Sequence, residues 1–129
     1  MTAESGGRFL PYGRQDIDES DLAAVAEALQ ADHLTTGPTV GLFEREFAAA
    51  VGARHAVASN SGTAALHLAC VALDLGPGDS VVVPAITFLA TAHAARFCGA
   101  EVIFADVDPA TGLLTADSFE AALAAHPGD

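Results

Sequence analysis

Apolar positions along the chain fall into two rhythms. Leu22, Val25 and Leu29 recur at steps of three and four, the period of one helix face, and predict a first helix that ends near Ala31. Asp18 or Ser20 is its expected cap, with Glu19 and Asp21 in the first turn, where acids suit the positive end of the helix dipole. Phe43, Phe47 and Val51 predict a second helix, capped by Thr39 and stopped at Gly52. The connection over residues 32–39 reads as a loop, because Gly37 and Pro38 break helix. Beyond residue 55 the rhythm changes to short apolar runs separated by helical stretches. Residues 56–58 (AVA) predict a buried strand, residues 60–63 a polar turn, and residues 64–73 a helix with Leu66, Ala69, Cys70 and Leu73 on one face. Residues 80–83 lack alternation and predict a strand covered on both faces. A helix over 89–98 stopped by Gly99, a strand over 101–105, a loop over 106–114 and a helix over 116–125 capped by Thr115 or Asp117 complete the pattern.

Strand, helix, strand, helix, strand, helix in that order implies an α/β fold, a mainly parallel sheet with flanking helices. Ligands of such sheets bind beyond the carboxyl ends of the strands, so residues 60–63 and 84–88 are expected at one working edge. Residues 1–10 read as a tail and 11–129 as a single structural region.

Composition narrows the chemistry. Hydrophobic residues make up 51% of the 129, which supports a packed core. The net charge is −12, which argues against nucleic acid or an anionic membrane as partner. The five basic residues are all arginines, so no lysine is present for a Schiff base. Arg14, Arg45, Arg54 and Arg96 read as too dispersed in sequence to form a patch. Cys70 and Cys98 lie among apolar neighbours and read as small core residues of a reduced, cytoplasmic protein. No apolar run reaches the roughly 20 residues of a membrane span, and the polar, Gly-rich start lacks the apolar centre of a signal peptide.

The candidate chemistry is concentrated at one turn. Ser61, Gly62 and Thr63 open a helix, where free N–H groups and the dipole favour a phosphate or another anion. Taken alone, the tripeptide reads better as a plain N-cap. Phe88, just past a strand end, could stack on a flat ring, but by itself reads better as core. Asp106 and Asp108 read better as a solvated turn before Pro109 than as an acid–base pair or a metal site. The five histidines have no partners at metal spacing, so no metal site is expected and they read as structural or solvent-facing.

Six stretches in order bring these features together: PYGRQ (11–15), HLTTGP (33–38), FEREFA (43–48), NSGTAALHLA (60–69), PAITFLATA (84–92) and EVIFADVD (101–108). Together they resemble the N-terminal part of the DegT/DnrJ/StrS family of pyridoxal-phosphate (PLP) sugar aminotransferases, of the aspartate aminotransferase fold type. Within that family the stretches look most like the branch that aminates UDP-linked 4-keto-6-deoxy-N-acetylhexosamines, as in pseudaminic acid synthesis. The resemblance implies that Ser61, Gly62 and Thr63 hold the PLP phosphate and that Phe88 stacks on the pyridine ring. It places Tyr12, Asp32, His33, Leu34 and Thr35 near the nucleotide sugar. His93 stands where relatives often have Asn. The family's Schiff-base lysine and pyridinium-binding aspartate fall later in the chain than any residue here, so the resemblance implies the N-terminal portion of a longer enzyme. It also implies glutamate as amino donor and a homodimer. Two other readings remain: the PLP-dependent sugar 3-dehydratases of the same superfamily, with histidine in place of the lysine, and a non-catalytic phosphate- or PLP-binding module.

Overall fold

In the computed structural model the structure describes residues 13–126, and the chain divides into two compact units between Ala56 and Val57. The first unit contains α1 (Glu19–Gln30) and α2 (Pro38–Ala50). Asp18 caps α1 through a reciprocal box: its carboxylate accepts from the amides of Ser20 (2.7 Å) and Asp21 (3.2 Å), and Asp21 accepts from the Asp18 amide (3.0 Å). These bonds hold the Asp18 carboxyl below the usual carboxylate range, the Ser20 hydroxyl contributing most.

The start of α2 differs from the expected cap at Thr39. Gly37 is the N-cap and Pro38 occupies the first turn, where its fixed φ suits the helix and its missing N–H costs nothing. Gly37 is required there, because a Cβ would lie 2.9 Å from the Cβ of His33. Phe43 and Phe47, with tilted rings whose centroids are 5.8 Å apart, mark one face of α2, and Ala48 is buried. The helix ends in a Schellman turn: Gly52 has φ 70°, and the Ala53 amide donates to the Ala48 carbonyl at 2.9 Å.

The second unit contains α3 (Gly62–Ala72), β1 (Ser80–Pro84), α4 (Leu89–Phe97), β2 (Glu101–Ala105) and α5 (Ala116–Ala125). The two strands are parallel, paired from Ser80↔Glu101 to Pro84↔Ala105, and α4 is the crossover between them. Bonds from the Glu101 amide to the Asp79 carbonyl and from the Ala85 amide to the Ala105 carbonyl, each 2.8 Å, extend the ladder at its two ends. Alternation along the strands separates the two faces. Val82, Ile103 and Ala105 pack with Ala122 of α5 on one face. Val102 and Phe104 line a groove with Leu89 and Ala92 of α4 on the other. Small residues make up most of the buried core, and Val83 is its largest fully buried side chain.

Residues 56–58 are not a strand, contrary to the pattern-based expectation, and the sheet of the described residues has two strands. Val57 is 81% exposed. An Ala-Val-Ala run favours extended backbone, but a strand also needs a neighbour, and three small side chains specify none. Both α3 and α4 end in Schellman turns like that of α2. The residue in the left-handed conformation is Asp74 (φ 58°) after α3 and Gly99 (φ 87°) after α4. In α5, Thr115 and Ser118 form a capping box, so Thr115 rather than Asp117 is the cap.

Candidate anion and ring site at the α3 N-terminus

Four amides at the start of an α-helix have no intrahelical acceptor. At α3 one of them is used locally: Ala64 donates to the Ser61 hydroxyl at 3.1 Å, while the Ala65 amide makes the first helical bond, to the Ser61 carbonyl at 3.0 Å. The amides of Gly62 and Thr63 are left, together with the Thr63 hydroxyl, and no described residue bonds that hydroxyl. Ser61 is therefore first of all the cap, and its hydroxyl proton stays available for donation. Behind it, the Ser59 hydroxyl donates to the Ser61 carbonyl at 3.0 Å and steadies the turn.

Gly62 is in the helix with no positive φ, so its backbone does not demand glycine. A Cβ there would meet no protein atom within 4 Å. The space above the free amides is open to a ligand. A negatively charged group reaching it would receive two N–H donors, a hydroxyl and the positive end of the dipole.

The same cavity, about 520 Å³, is lined by Gly62, Thr63, Ala65, Leu66, Phe88 and Ala90. Phe88 is the N-cap residue of α4 and is 77% exposed, which overturns the expectation that it fills core. Its carbonyl accepts from the Thr91 amide at 2.9 Å, which fixes the backbone that carries the ring. The residues that carry the donors and the hydroxyl thus border one cavity with an aromatic residue. The size lies in the range of small-molecule sites.

What holds the two helix starts together is the packing of α3 on α4. The Phe97 ring sits between His67 of α3, at 5.4 Å, and His93 of α4, at 5.6 Å. His67 is accordingly part of the helix interface, whereas His93 is exposed and meets Phe97 within α4. Cys70 and Cys98 belong to the same helix pair, both half-buried and both free. Burial, and secondarily the neighbouring Cys70, push the Cys98 thiol above its ordinary value.

The remaining sequence candidates are placed elsewhere. Asp32, His33, Leu34 and Thr35 form the α1–α2 loop of the first unit, with Thr36 at φ 55° and Leu34 exposed. Tyr12 lies outside the described residues. Asp108 is the turn expected before Pro109: its carboxylate accepts from the Thr111 hydroxyl and amide and from the Ala110 amide. The Thr111 hydroxyl is the main reason its carboxyl titrates below the usual range. Among the described residues no three of His, Cys, Asp or Glu gather to hold a metal, and no helix is long and apolar enough to cross a membrane. Sequence reasoning missed the cavity walls Ala65, Leu66 and Ala90. A helical wheel could have placed Leu66, whereas Ala90 comes in only through the α3–α4 packing.

A crossover α/β unit with a helix start that offers free amides beside an exposed aromatic is chemically suited to an anion attached to a flat ring. Residues 15–126 match the sequence profile of the DegT/DnrJ/EryC1/StrS aminotransferase family, and the chain belongs to that family. It is 46% identical over 115 residues to the spore coat polysaccharide biosynthesis protein SpsC of Bacillus subtilis, covering 89% of this chain and 30% of SpsC. Spr1654 of Streptococcus pneumoniae, assigned as a sugar aminotransferase and solved in PLP and PMP forms, superimposes with a TM-score of 0.78 at 34% identity. That match covers 88% of this chain and 28% of Spr1654 in its PMP form. The structure of 3-amino-5-hydroxybenzoic acid synthase matches with a TM-score of 0.76 at 39% identity, over 88% of this chain and 29% of that one. The chain thus spans about 30% of the length of the curated relative it matches.

Proposed function

We propose that this chain supplies the phosphate and ring-stacking side of a PLP site in a sugar aminotransferase. The observation that carries the reading is the convergence of Gly62, Thr63 and Phe88 on one cavity. The Gly62 and Thr63 amides would donate to the phosphate, the Thr63 hydroxyl would add a third donor, and the α3 dipole would favour the dianion. Ser61 holds these donors in place by capping the helix and can offer its own proton. Phe88, on the lining of the same cavity, would stack on the pyridine ring. The chain carries a charge of −12, so the phosphate must be held by these local dipoles against the overall field. When bound, PLP supplies the electron sink for moving an amino group, and the protein supplies position.

The lysine that such chemistry requires is not among these 129 residues, so the activity belongs to the complete protein. The substrate we infer is a nucleotide-linked 4-keto-6-deoxy sugar whose ketone becomes an amine, with glutamate as donor and 2-oxoglutarate as the second product. Its 46% identity to a polysaccharide biosynthesis protein supports an amino-sugar product destined for a polymer. A UDP-linked N-acetylhexosamine of the pseudaminic acid type is the specific substrate suggested by residues 33–48. Tyr12, Asp32, His33, Leu34 and Thr35 are the residues assigned to the sugar side, in a cytoplasmic homodimer.

The test is 2-oxoglutarate release from glutamate by the full-length, PLP-loaded protein, with and without UDP-4-keto-6-deoxy-N-acetylhexosamine. Keto-sugar-dependent release in molar balance with amino sugar is expected. Consumption of the keto sugar without amino sugar would replace transamination by dehydration.

A further inference from the structure

Two of the five arginines of this acidic chain, nine residues apart in sequence, share one groove of the first unit. The sequence pattern reads these arginines as dispersed; the Schellman turn after α2 overturns that reading. By bonding the Ala53 amide to the Ala48 carbonyl it reverses the chain, so that residues 53–56 line the same groove as α2. Small residues line it, Gly41, buried Ala48 and Ala53, and leave a volume of about 440 Å³. Arg45 folds back along α2, its Nη1 3.5 Å from where a Gly41 Cβ would stand. Arg54 and His55 come from the returning segment. Among the described residues neither arginine has an ion-pair partner, whereas Glu44, the acid on the lining, has a partner of its own.

We propose that this groove is a binding site for a small phosphate-class oxyanion, held between the guanidinium groups of Arg45 and Arg54 with His55 beside them. Two guanidinium groups suit a compact multivalent anion better than a single carboxylate, because each can give paired N–H donors. The chain's net charge of −12 argues against nucleic acid and other large polyanions, and favours inorganic phosphate, diphosphate or the phosphates of a free nucleotide. The site lies on residues separate from the Gly62 and Thr63 amides and stands whether or not those amides hold PLP.

Calorimetric titration of the full-length, PLP-loaded protein with inorganic pyrophosphate tests the proposal, since PLP already fills the α3 site. Saturable binding is expected, and Arg54→Gln and Arg45→Gln each weaken it roughly tenfold, the factor one charge-assisted hydrogen bond supplies. Arg96→Gln, on α4, leaves it unchanged. Thermal melts of the variants show that the fold is kept, and Arg54→Lys recovers part of the affinity if charge alone is enough. Parallel titrations with inorganic phosphate and with UDP distinguish a free anion from a nucleotide as the source. Absence of saturable pyrophosphate binding, or equal affinity in the Arg45→Gln/Arg54→Gln double variant, overturns the proposal.

Discussion

Replacing Thr63 by valine separates a ligand-binding hydroxyl from a merely structural one. Thr63 is the second residue of α3, exposed, and its hydroxyl bonds nothing among the described residues. Valine keeps the β-branch and the shape, so helix propensity hardly changes. The folded protein without cofactor should therefore melt within about 0.5 kcal/mol of the parent, as exposed substitutions generally do. Cofactor binding is different. A hydrogen bond to a charged group contributes about 1.5–3 kcal/mol, so its loss should weaken PLP binding roughly 10- to 150-fold. The assay is equilibrium PLP binding to full-length parent, Thr63→Val and Thr63→Ser, alongside thermal melts of each without cofactor. Serine keeps the hydroxyl and should recover most of the affinity. Equal PLP affinity in Thr63→Val and the parent would refute the role given to this hydroxyl. A large drop in melting temperature without cofactor would show instead that the residue supports the fold.

Other expectations follow from the local geometry. Asp74 sits at φ 58° in the Schellman turn after α3, where glycine is unstrained, so Asp74→Gly should raise stability by roughly 0.5–1 kcal/mol in urea titrations. Asp18 and Asp108 titrate lower in the folded chain than the ordinary 3.8. A depressed folded value means stability that is present above the unfolded pKa and lost as pH falls through the folded one. Asp108→Asn should therefore lower the urea midpoint at pH 6 and do so much less in acid well below 3.8; an equal loss at both values would remove the charge from the explanation. The Cys98 thiol, pushed up by burial and by Cys70, stays protonated at neutral pH. Its alkylation should be slower than that of a free cysteine, as peptide mass spectrometry over time would show.

Local chemistry in the sequence was enough for much of the secondary structure. Residues 101–105 and 116–125 are strand and helix with the expected bounds, because β-branched and aromatic residues bracketed by Gly99 and Pro109, and a Thr115 cap, each leave one local solution. Residues 18–21 likewise carry the whole capping box of α1. The Asp108 turn was also legible, since an aspartate before proline satisfies its own backbone. At the α2 start, proline's fixed φ outweighed Thr39 as a cap.

Tertiary structure decided what depends on separated residues meeting. Whether Ser61, Gly62 and Thr63 form only a cap or also part of a cavity depends on what stands opposite, and α3–α4 packing puts Phe88 there. Whether residues 56–58 become a strand depends on a ladder that three small side chains cannot specify. Arg45 and Arg54 come to one groove only because a backbone turn between them reverses the chain. The sequence alone determined where most helices lie, though not the start of α2, and which groups could hold an anion, since caps and dipoles act over a few residues. Only the fold decided which of those groups face a common space, because that is set by packing between segments far apart in the chain.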